Sequence, residues 1–457
     1  MKEFRVGDDI LNSVKNIHMI GIGGSGMCPL AEILHTKGYV ITGSDNNESD
    51  PLKRIIALGI KVYMGHSAAN VHGAQLVVYS AAISADNPEI VEAKRLGIPT
   101  LERSVLLGII TRQFNNVIGV SGTHGKTTVT SMITQVLCVN RFDPTAVIGG
   151  RLPLIGANGI AGNSENMVVE SCEYVETFLK LSPDRAVLLN IDNDHLEYYK
   201  TMENLTAAFS KFIGMASKIY INGDDELCRL AAKDKTAQIT TFGIAETNDF
   251  YATDIKTGAF GMSFNIWHKG KILGEATLSL FGQHNVYNAL AAFSVCYDMG
   301  ISLNDFCDAL SSFNGAGRRF EKLFSNDEIT IMDDYAHHPT EIAATLKAAK
   351  ELGKTRVTVV FQPFTFSRTQ MLLDDFIKAL SHADRVVLTP IMGSREINKT
   401  GIDSKDIAKG LKNAVVVDNF EQAASFIVDT KQPGDLVITM GGGDIYKAAY
   451  LMIKKLK

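Results

Sequence analysis

Short apolar runs, each ending in a glycine-rich turn and followed by helical periodicity, recur at three widely separated places in the 457-residue chain. In the first, Asn16-Ile17-His18-Met19-Ile20 leads into Gly21-Ile22-Gly23-Gly24-Ser25-Gly26 and a helix closed near Gly38. In the second, Val117-Ile118-Gly119-Val120 leads into Gly122-Thr123-His124-Gly125-Lys126-Thr127-Thr128 and a helix to about residue 140. In the third, Leu436-Val437-Ile438-Thr439 leads into Gly441-Gly442-Gly443-Asp444 and a C-terminal helix. Apolar runs such as Leu76-Val77-Val78-Tyr79, Ala186-Val187-Leu188-Leu189 and Arg356-Val357-Thr358-Val359-Val360 alternate with helical patterns between them. This alternation predicts an α/β protein of βαβ units around mostly parallel sheets. The stretch from about 249 to 280 differs: its alternation around Gly258, Gly261 and Gly270 predicts antiparallel hairpins. At roughly 150 residues per domain the length suggests about three domains. Boundaries near residue 113 and near Gly315-Ala316-Gly317 give 1–113, 114–317 and 318–457, although Arg318-Arg319-Phe320-Glu321 could sit on either side of the second.

Composition narrows the function without naming it. The 45 basic and 50 acidic side chains leave a formal charge of −5, which argues against a nucleic-acid coat or a polybasic membrane binder. No run approaches the ~18 apolar residues of a membrane helix, and no apolar run follows the charged N-terminus as in a secretory signal. Cys28, Cys138, Cys172, Cys228, Cys296 and Cys307 form no CxxC pair. They fit scattered thiols in a reducing cytosol, so a cytoplasmic location is expected.

The turn 122–128 carries the strongest chemical signal. Backbone N–H groups at a helix N-terminus converge on an anion. Lys126 would reach β- and γ-phosphates, and Thr127 would place its hydroxyl on Mg²⁺. Val120 stands where the strict GxxxxGK[ST] pattern wants glycine, so the turn is a shortened variant, and a mere strand-to-helix connection is the plain alternative. The turn 21–26 matches GxGxxG, with Asp45 near the offset at which an acid meets a ribose. That geometry holds NAD or any other diphosphate, including a UDP-sugar, or is structural only.

Further candidates cluster at predicted strand ends, where α/β proteins collect ligands. Met167-Val168-Val169-Glu170 ends on a carboxylate, and Val187-Leu188-Leu189-Asn190-Ile191 runs into Asp192-Asn193-Asp194-His195. Magnesium takes hard oxygen ligands, so Glu170 is assigned to the metal and His195 to a second metal position; Glu173 is left open between a further ligand and a solvated acid, the commoner role. Asn285 and Asn288 share a helix face and could pair with adenine, or Asn285 could simply cap the helix. Arg318-Arg319, at a hinge, could place a guanidinium on a transferring γ-phosphate or tether a domain seam. Ile329-Thr330-Ile331-Met332 leads into Asp333-Asp334-Tyr335-Ala336-His337-His338-Pro339. Adjacent histidines lack the spacing of a helical zinc pair.

These motifs, with Gly282-Gln283-His284-Asn285, Gly317-Arg318-Arg319-Phe320 and Ser367-Arg368-Thr369, resemble the Mur ligase family over essentially the whole chain. The histidine of the second glycine turn and the early Gly21–Met27 stretch favour its alanine-adding member. The resemblance implies an N-terminal Rossmann-like domain for a UDP-sugar, a central P-loop ATPase domain and a C-terminal Rossmann-like domain for the amino acid. It implies that UDP-N-acetylmuramate, L-alanine and ATP are the substrates, with Mg²⁺ as cofactor. Ligation would pass through an acyl phosphate in peptidoglycan synthesis, hence cell-wall growth and division. Nucleic acid and membrane are not expected partners, and the chain is expected to be a monomer or homodimer.

The residues carried over are specific. Gly21, Gly23, Gly24, Ser25, Gly26, Asp45 and Ser80 would bind the UDP-sugar. Gly122, Thr123, His124, Gly125, Lys126, Thr127, Thr128, Asn285, Asn288, Arg319 and Asp334 would bind ATP. Within that set Arg319 faces the γ-phosphate and Asp334 the ribose. Lys126, His195 and Arg319 would be catalytic; Thr127, Glu170 and His195 would hold the metal; His337 and Arg368 would meet the amino acid. Closure of the C-terminal domain on the central one is expected, to align reactants and exclude water.

One departure bears on specificity. Many members carry His-Arg after Gln-Pro, where this chain has Phe364 and Thr365. Arg368 would then take the amino-acid carboxylate, and glycine or serine could substitute for alanine. Glu170-Ser171-Cys172-Glu173 likewise replaces the commoner Glu-Ala-Asp-Glu while keeping the first acid. Rival readings are a ligase that recycles a ready-made tripeptide, an oxidoreductase resting on residues 21–26 and Asp45, and a non-catalytic P-loop switch.

Overall fold

Three β-sheets follow one another along the chain in the computed structural model, which describes residues 9–258, 261–394 and 396–457. The first contains β1 (Asn16–Ile20), β2 (Val40–Asp45), β3 (Lys61–Met64), β4 (Leu76–Tyr79) and β5 (Thr100–Glu102). Its order is β3-β2-β1-β4-β5, every pair parallel. β1 is buried from Ile17 onward, which is why it reads as an unbroken apolar run. The order reverses between β1 and β4, and the first glycine turn leaves β1 at that reversal, where open α/β sheets form a ligand crevice.

The second sheet holds β6 (Asn116–Ser121), β7 (Thr145–Leu152), β8 (Ala157–Ile160), β9 (Asn166–Glu170), β10 (Arg185–Leu188), β11 (Lys218–Asn222), β12 (Gln238–Gly243), β13 (Phe250–Gly258), β14 (Gly261–His268) and β15 (Lys271–Leu278). They lie in the order β15-β14-β13-β12-β11-β10-β6-β9-β7-β8. Pairing is parallel from β7 through β9, β6, β10, β11 and β12 to β13, while β7 and β8 are antiparallel. Only Lys269 and Gly270 separate β14 from its neighbour β15. A parallel pair needs a crossover of roughly a dozen residues, so this link is a hairpin, as the alternation predicted.

The third sheet comprises β16 (Glu321–Ser325), β17 (Ile329–Asp334), β18 (Arg356–Phe361), β19 (Arg385–Leu388), β20 (Ala414–Val416) and β21 (Asp435–Met440). Its order is β16-β17-β21-β18-β19-β20, parallel except at the β16 edge. Alternate residues feed two cores: Met332, Val359 and Ile438 one, Ile331, Val360 and Val437 the other.

The chain forms two compact units. One runs to Asp254 and adds Phe264–Ala276 and Tyr287–Phe313; the other is Ile255–Ser263, Thr277–Val286 and Asn314–Lys457. Within the first unit one apolar core is continuous from Ile17 and Leu30 through Ile110 and Val117 to Phe178, Phe209 and Phe212. The first sheet thus shares its core with β6, β7, β9, β10 and β11 of the second. No helix among the described residues is long and apolar enough to cross a membrane.

Candidate functional site

In the first unit, β6 delivers the second glycine turn to the N-terminus of the helix Lys126–Val139. Gly125 caps that helix at φ +84°, and a Cβ there would lie 2.5 Å from Asn288 Oδ1. Conformation and space both demand glycine. Asn288, read as an adenine partner, is thus set against the loop itself. Asn285 donates its amide to the Phe281 carbonyl at 2.8 Å.

Lys126 Nζ donates to the Thr123 carbonyl at 3.0 Å and pairs with the Glu173 carboxylate at 2.9 Å. Glu173 is only 2% exposed, so the reading of a solvated acid is corrected: it is the buried counter-ion of the loop lysine. Burial opposes charge on Lys126, but Glu173 outweighs it and holds the ammonium above its ordinary pKa.

A second clasp was not legible as such. β10 stops at Leu188, short of the predicted Ile191, because Asn190 turns back onto the loop. Asn190 Oδ1 accepts the His124 N–H at 2.8 Å, and its amide donates to the His124 carbonyl at 3.1 Å. Thr123 Oγ1 accepts from the Asp192 N–H at 2.9 Å, and Asp192 Oδ2 meets His124 Nε2 at the same distance. The only sequence sign was a polar residue directly after an apolar strand neighbouring the loop strand. These bonds tie the loop backbone to residues 190 and 192.

β9 lies beside β6 with Val120 opposite Glu170. Glu170 Oε2 accepts the Gly149 N–H at 2.7 Å. Thr127 sits in the first helical turn, 5% exposed. A carboxylate and a hydroxyl at these strand and helix ends are the hard oxygen donors magnesium takes. His195 is held differently: left-handed at φ +57°, with Nδ1 3.3 Å from Glu197 and Nε2 3.7 Å from Asp194.

The first glycine turn exposes Gly24 and Ser25. Asp45, placed by spacing at a ribose, accepts the Gly23 N–H at 2.9 Å and the Asn47 N–H at 3.0 Å, so it braces the turn. Ser80 Oγ accepts the Ala82 N–H at 3.3 Å in the turn after β4. Beneath them lies Glu89, fully buried and absent from the sequence reading. It accepts from Ser44 Oγ at 2.6 Å and Asn70 Nδ2 at 2.5 Å, with His66 Nδ1 at 3.1 Å and His18 Nε2 at 3.7 Å. Burial would raise its pKa, but bonds from His18, Ser44 and Asn70 prevail and hold it at about 2.

In the second unit, the two adjacent arginines are held differently. Arg318 donates to Asp333 Oδ2 and to the Gly443 and Gly441 carbonyls, each at 2.8 Å, between the rings of Tyr335 and Tyr446. It is the tether. Arg319 stands 3.7 Å from Glu341 and 5.2 Å over the Tyr335 ring. Arg318→Ala would leave Asp333, 1% exposed, without its cation. A stability loss of about 3–5 kcal/mol is expected in urea titration.

β17 continues past Met332 through Asp334, which is 6% exposed. Asp334 accepts the Phe320 and Ala336 N–H groups at 2.7 Å each. Burial pushes its pKa up to about 6, with Arg319 opposing. A carboxyl that binds its proton more tightly when folded contributes stability below its unfolded pKa and loses it as pH rises through the folded one. Relative to Asp334→Asn, the wild type should therefore lose about 2–3 kcal/mol between pH 4 and pH 6.5. Urea titrations of both proteins across that range check it.

His337 Nδ1 meets the Tyr335 carbonyl at 3.0 Å and Glu341 at 3.4 Å, and its ring stands edge-on to Phe364 at 5.9 Å. His338 caps the helix Pro339–Glu351 in a capping box with Glu341. Arg368, 8% exposed, lies on the helix Phe366–Met371. Phe364, at the departure from the family pattern, thus neighbours one of the two residues assigned to the amino acid.

Three family models cover the chain in order: the Mur ligase family catalytic domain at residues 16–115, the Mur ligase middle domain at 120–296, and the Mur ligase glutamate ligase domain at 318–443. The chain belongs to the Mur ligase family. The UDP-N-acetylmuramate–L-alanine ligase of Caldicellulosiruptor saccharolyticus is 44% identical over 96% of this chain and 98% of its own. That of Acetivibrio thermocellus is 42% identical over 97% and 96%. The crystal structure of UDP-N-acetylmuramate-alanine ligase from Thermotoga maritima matches with a TM-score of 0.84 and 30% identity, covering 96% of this chain and 99% of that one. A murein peptide ligase from Psychrobacter arcticus shares the fold, with a TM-score of 0.73 at 24% identity over 97% and 98%.

Proposed function

We propose that this chain is an ATP-dependent ligase that joins L-alanine to the lactyl carboxylate of UDP-N-acetylmuramate, releasing ADP and phosphate, in the cytoplasmic part of peptidoglycan precursor synthesis. The observation that carries the reading is the likeness, over 96% of the chain and at 44% identity, to a relative bearing that name. Residues 1–113 bind the UDP-sugar through Gly21, Gly23, Gly24, Ser25, Gly26 and Ser80, with Asp45 bracing the turn. Residues 114–317 bind ATP on the loop 122–128. Residues 318–457 supply Arg319 and Asp334 to the nucleotide and His337 and Arg368 to the amino acid.

The chemistry follows from charge. The lactyl carboxylate and the γ-phosphate are both anions, so attack requires cations placed on the transferring group. Lys126 and Arg319 are those cations. The helix N-terminus behind Lys126 holds the β-phosphate side with its free N–H groups. The acyl phosphate that forms is attacked by the alanine amine, and phosphate departs. Mg²⁺, when bound, would neutralise phosphate charge; Thr127 and Glu170 would be its oxygen ligands, and His195 would serve a second metal position. Both steps need aligned reactants and excluded water.

ADP release measured with each substrate omitted in turn tests the reading. Release is expected only with UDP-N-acetylmuramate, L-alanine and Mg²⁺ together; release without either acceptor sinks it. Replacing alanine by a tripeptide in the same assay separates a peptide-recycling ligase, and glycine and serine gauge strictness beside Phe364 and Thr365.

Gly149 offers a check on the metal assignment. A Cβ at Gly149 would sit 2.3 Å from Glu170 Oε1, so Gly149→Ala must push the carboxylate aside. The Mg²⁺ concentration for half-maximal activity should rise about tenfold or more, with thermal stability little changed because a movable side-chain end gives way. An unchanged Mg²⁺ titration removes Glu170 from the metal set.

A further inference from the structure

The loops after β9 and β10 hold backbone strain at four residues. Val175 and Glu176 are both left-handed at φ +53°, His195 at φ +57° and Lys200 at φ +72°. For a β-branched residue such as Val175 this is an outlier, and such strain persists only where its surroundings enforce it. The enforcement is visible. Phe178 is buried and stacked on Phe212 at 4.8 Å, its N–H donates to the Cys172 carbonyl at 3.0 Å, and the Tyr199 hydroxyl donates to the Glu173 carbonyl. The consequence is an outward-facing aromatic shelf. Tyr174 is 43% exposed and Tyr198 39%, their rings 6.4 Å apart, with His195 at 4.8 Å from Tyr174.

We propose that this shelf, with Tyr174 as its principal ring, seats the pyranose of the acceptor, the apolar C–H face of the sugar lying on the tyrosine. The inference rests on the ligase reading above and names the residues that position its sugar. Its carrier is distance along a short covalent path. Glu173, bonded to Lys126 Nζ, is the residue before Tyr174. The lactyl carboxylate is joined to the pyranose by an ether and one carbon, and it must come within about 3–3.5 Å of the atom it attacks. A carboxylate held at Lys126 therefore places its sugar ring near Tyr174. Adenine is a poorer occupant, because a ribose and the length of the triphosphate separate it from the end that Lys126 grips. A tyrosine also suits a pyranose chemically: it offers a large rigid face and a polar tip at small entropic cost.

Steady-state kinetics of Tyr174→Ala, Tyr174→Leu and Tyr174→Phe test the proposal. Loss of the ring is expected to raise KM for UDP-N-acetylmuramate roughly tenfold or more, while KM for ATP and for L-alanine stays within twofold. Tyr174→Phe should restore most of the affinity. Val175→Gly, which relaxes the left-handed backbone, should raise the melting temperature yet raise the same KM, a pairing that a purely structural loop would not give. A sugar-nucleotide KM within twofold of wild type in the alanine variant overturns the proposal, as does a rise in KM for ATP instead. Should the alanine variant not fold, the leucine variant, which keeps apolar bulk without the ring, is judged by the same two outcomes. If wild-type protein shows no ADP release dependent on UDP-N-acetylmuramate, the ligase reading itself has failed, and that result is distinct from either.

Discussion

Replacing Lys126 by methionine is expected to lower the rate of ADP formation by about 10²–10³-fold or more, the scale of losing one preorganised charge contact to a transition state. Methionine keeps the stem and removes only the ammonium. The same change strands Glu173, which is 2% exposed and loses its cation. A stability loss of about 3–5 kcal/mol should therefore accompany the kinetic one. The two effects can be parted. Adding Glu173→Gln removes the stranded charge, so the double variant should regain most of the stability and none of the rate. Urea titration and ADP release on the wild type and the two variants give both readouts. Recovery of rate in the double variant would mean that Lys126 acts only by satisfying Glu173.

Arg319→Ala is expected to cost about 10³–10⁵-fold in kcat, as for other arginines that neutralise a transferring phosphoryl group. Its stability cost should be within about 1 kcal/mol, since its ion pair with Glu341 is long, at 3.7 Å, and partly exposed. Arg319→Lys should rescue little, because an ammonium cannot reproduce the planar fork. The neighbouring Arg318 gives the opposite profile, a large stability loss from its three anchored bonds. Measuring kcat and unfolding for both alanine variants distinguishes the cation that works from the cation that ties.

Local pattern carried the architecture. The three glycine turns leave β1, β6 and β21 as their apolar runs announced, because a doubly covered parallel strand can hardly be other than continuously apolar. The β14–β15 hairpin was likewise legible in period-two alternation. What spacing could not give was which distant groups meet. Glu173 reads as a surface acid because a lone carboxylate just past a strand is usually solvated, yet β9 beside β6 carries it onto Lys126. Asp45 sits at a plausible ribose distance along the chain, but spacing could not show that its carboxylate accepts from Gly23 of the turn and from Asn47. Glu89 drew no notice in an exposed-looking helix start, although residues from β1, β2 and the segment after β3 converge on it. Arg318 and Arg319 are chemically identical in sequence; only the positions of Asp333, Gly441 and Gly443 tell them apart. Pairings of this kind arise from tertiary placement, which propensity and motif do not encode.

The central claim is that the acceptor's own carboxylate, and not water, takes the γ-phosphoryl group gripped at Lys126. Its most direct test supplies UDP-N-acetylmuramate labelled with ¹⁸O in the lactyl carboxylate, together with ATP, Mg²⁺ and L-alanine, and examines the released phosphate by mass spectrometry. One labelled oxygen in each phosphate is the result the account predicts; phosphate that takes its oxygen from solvent would contradict it.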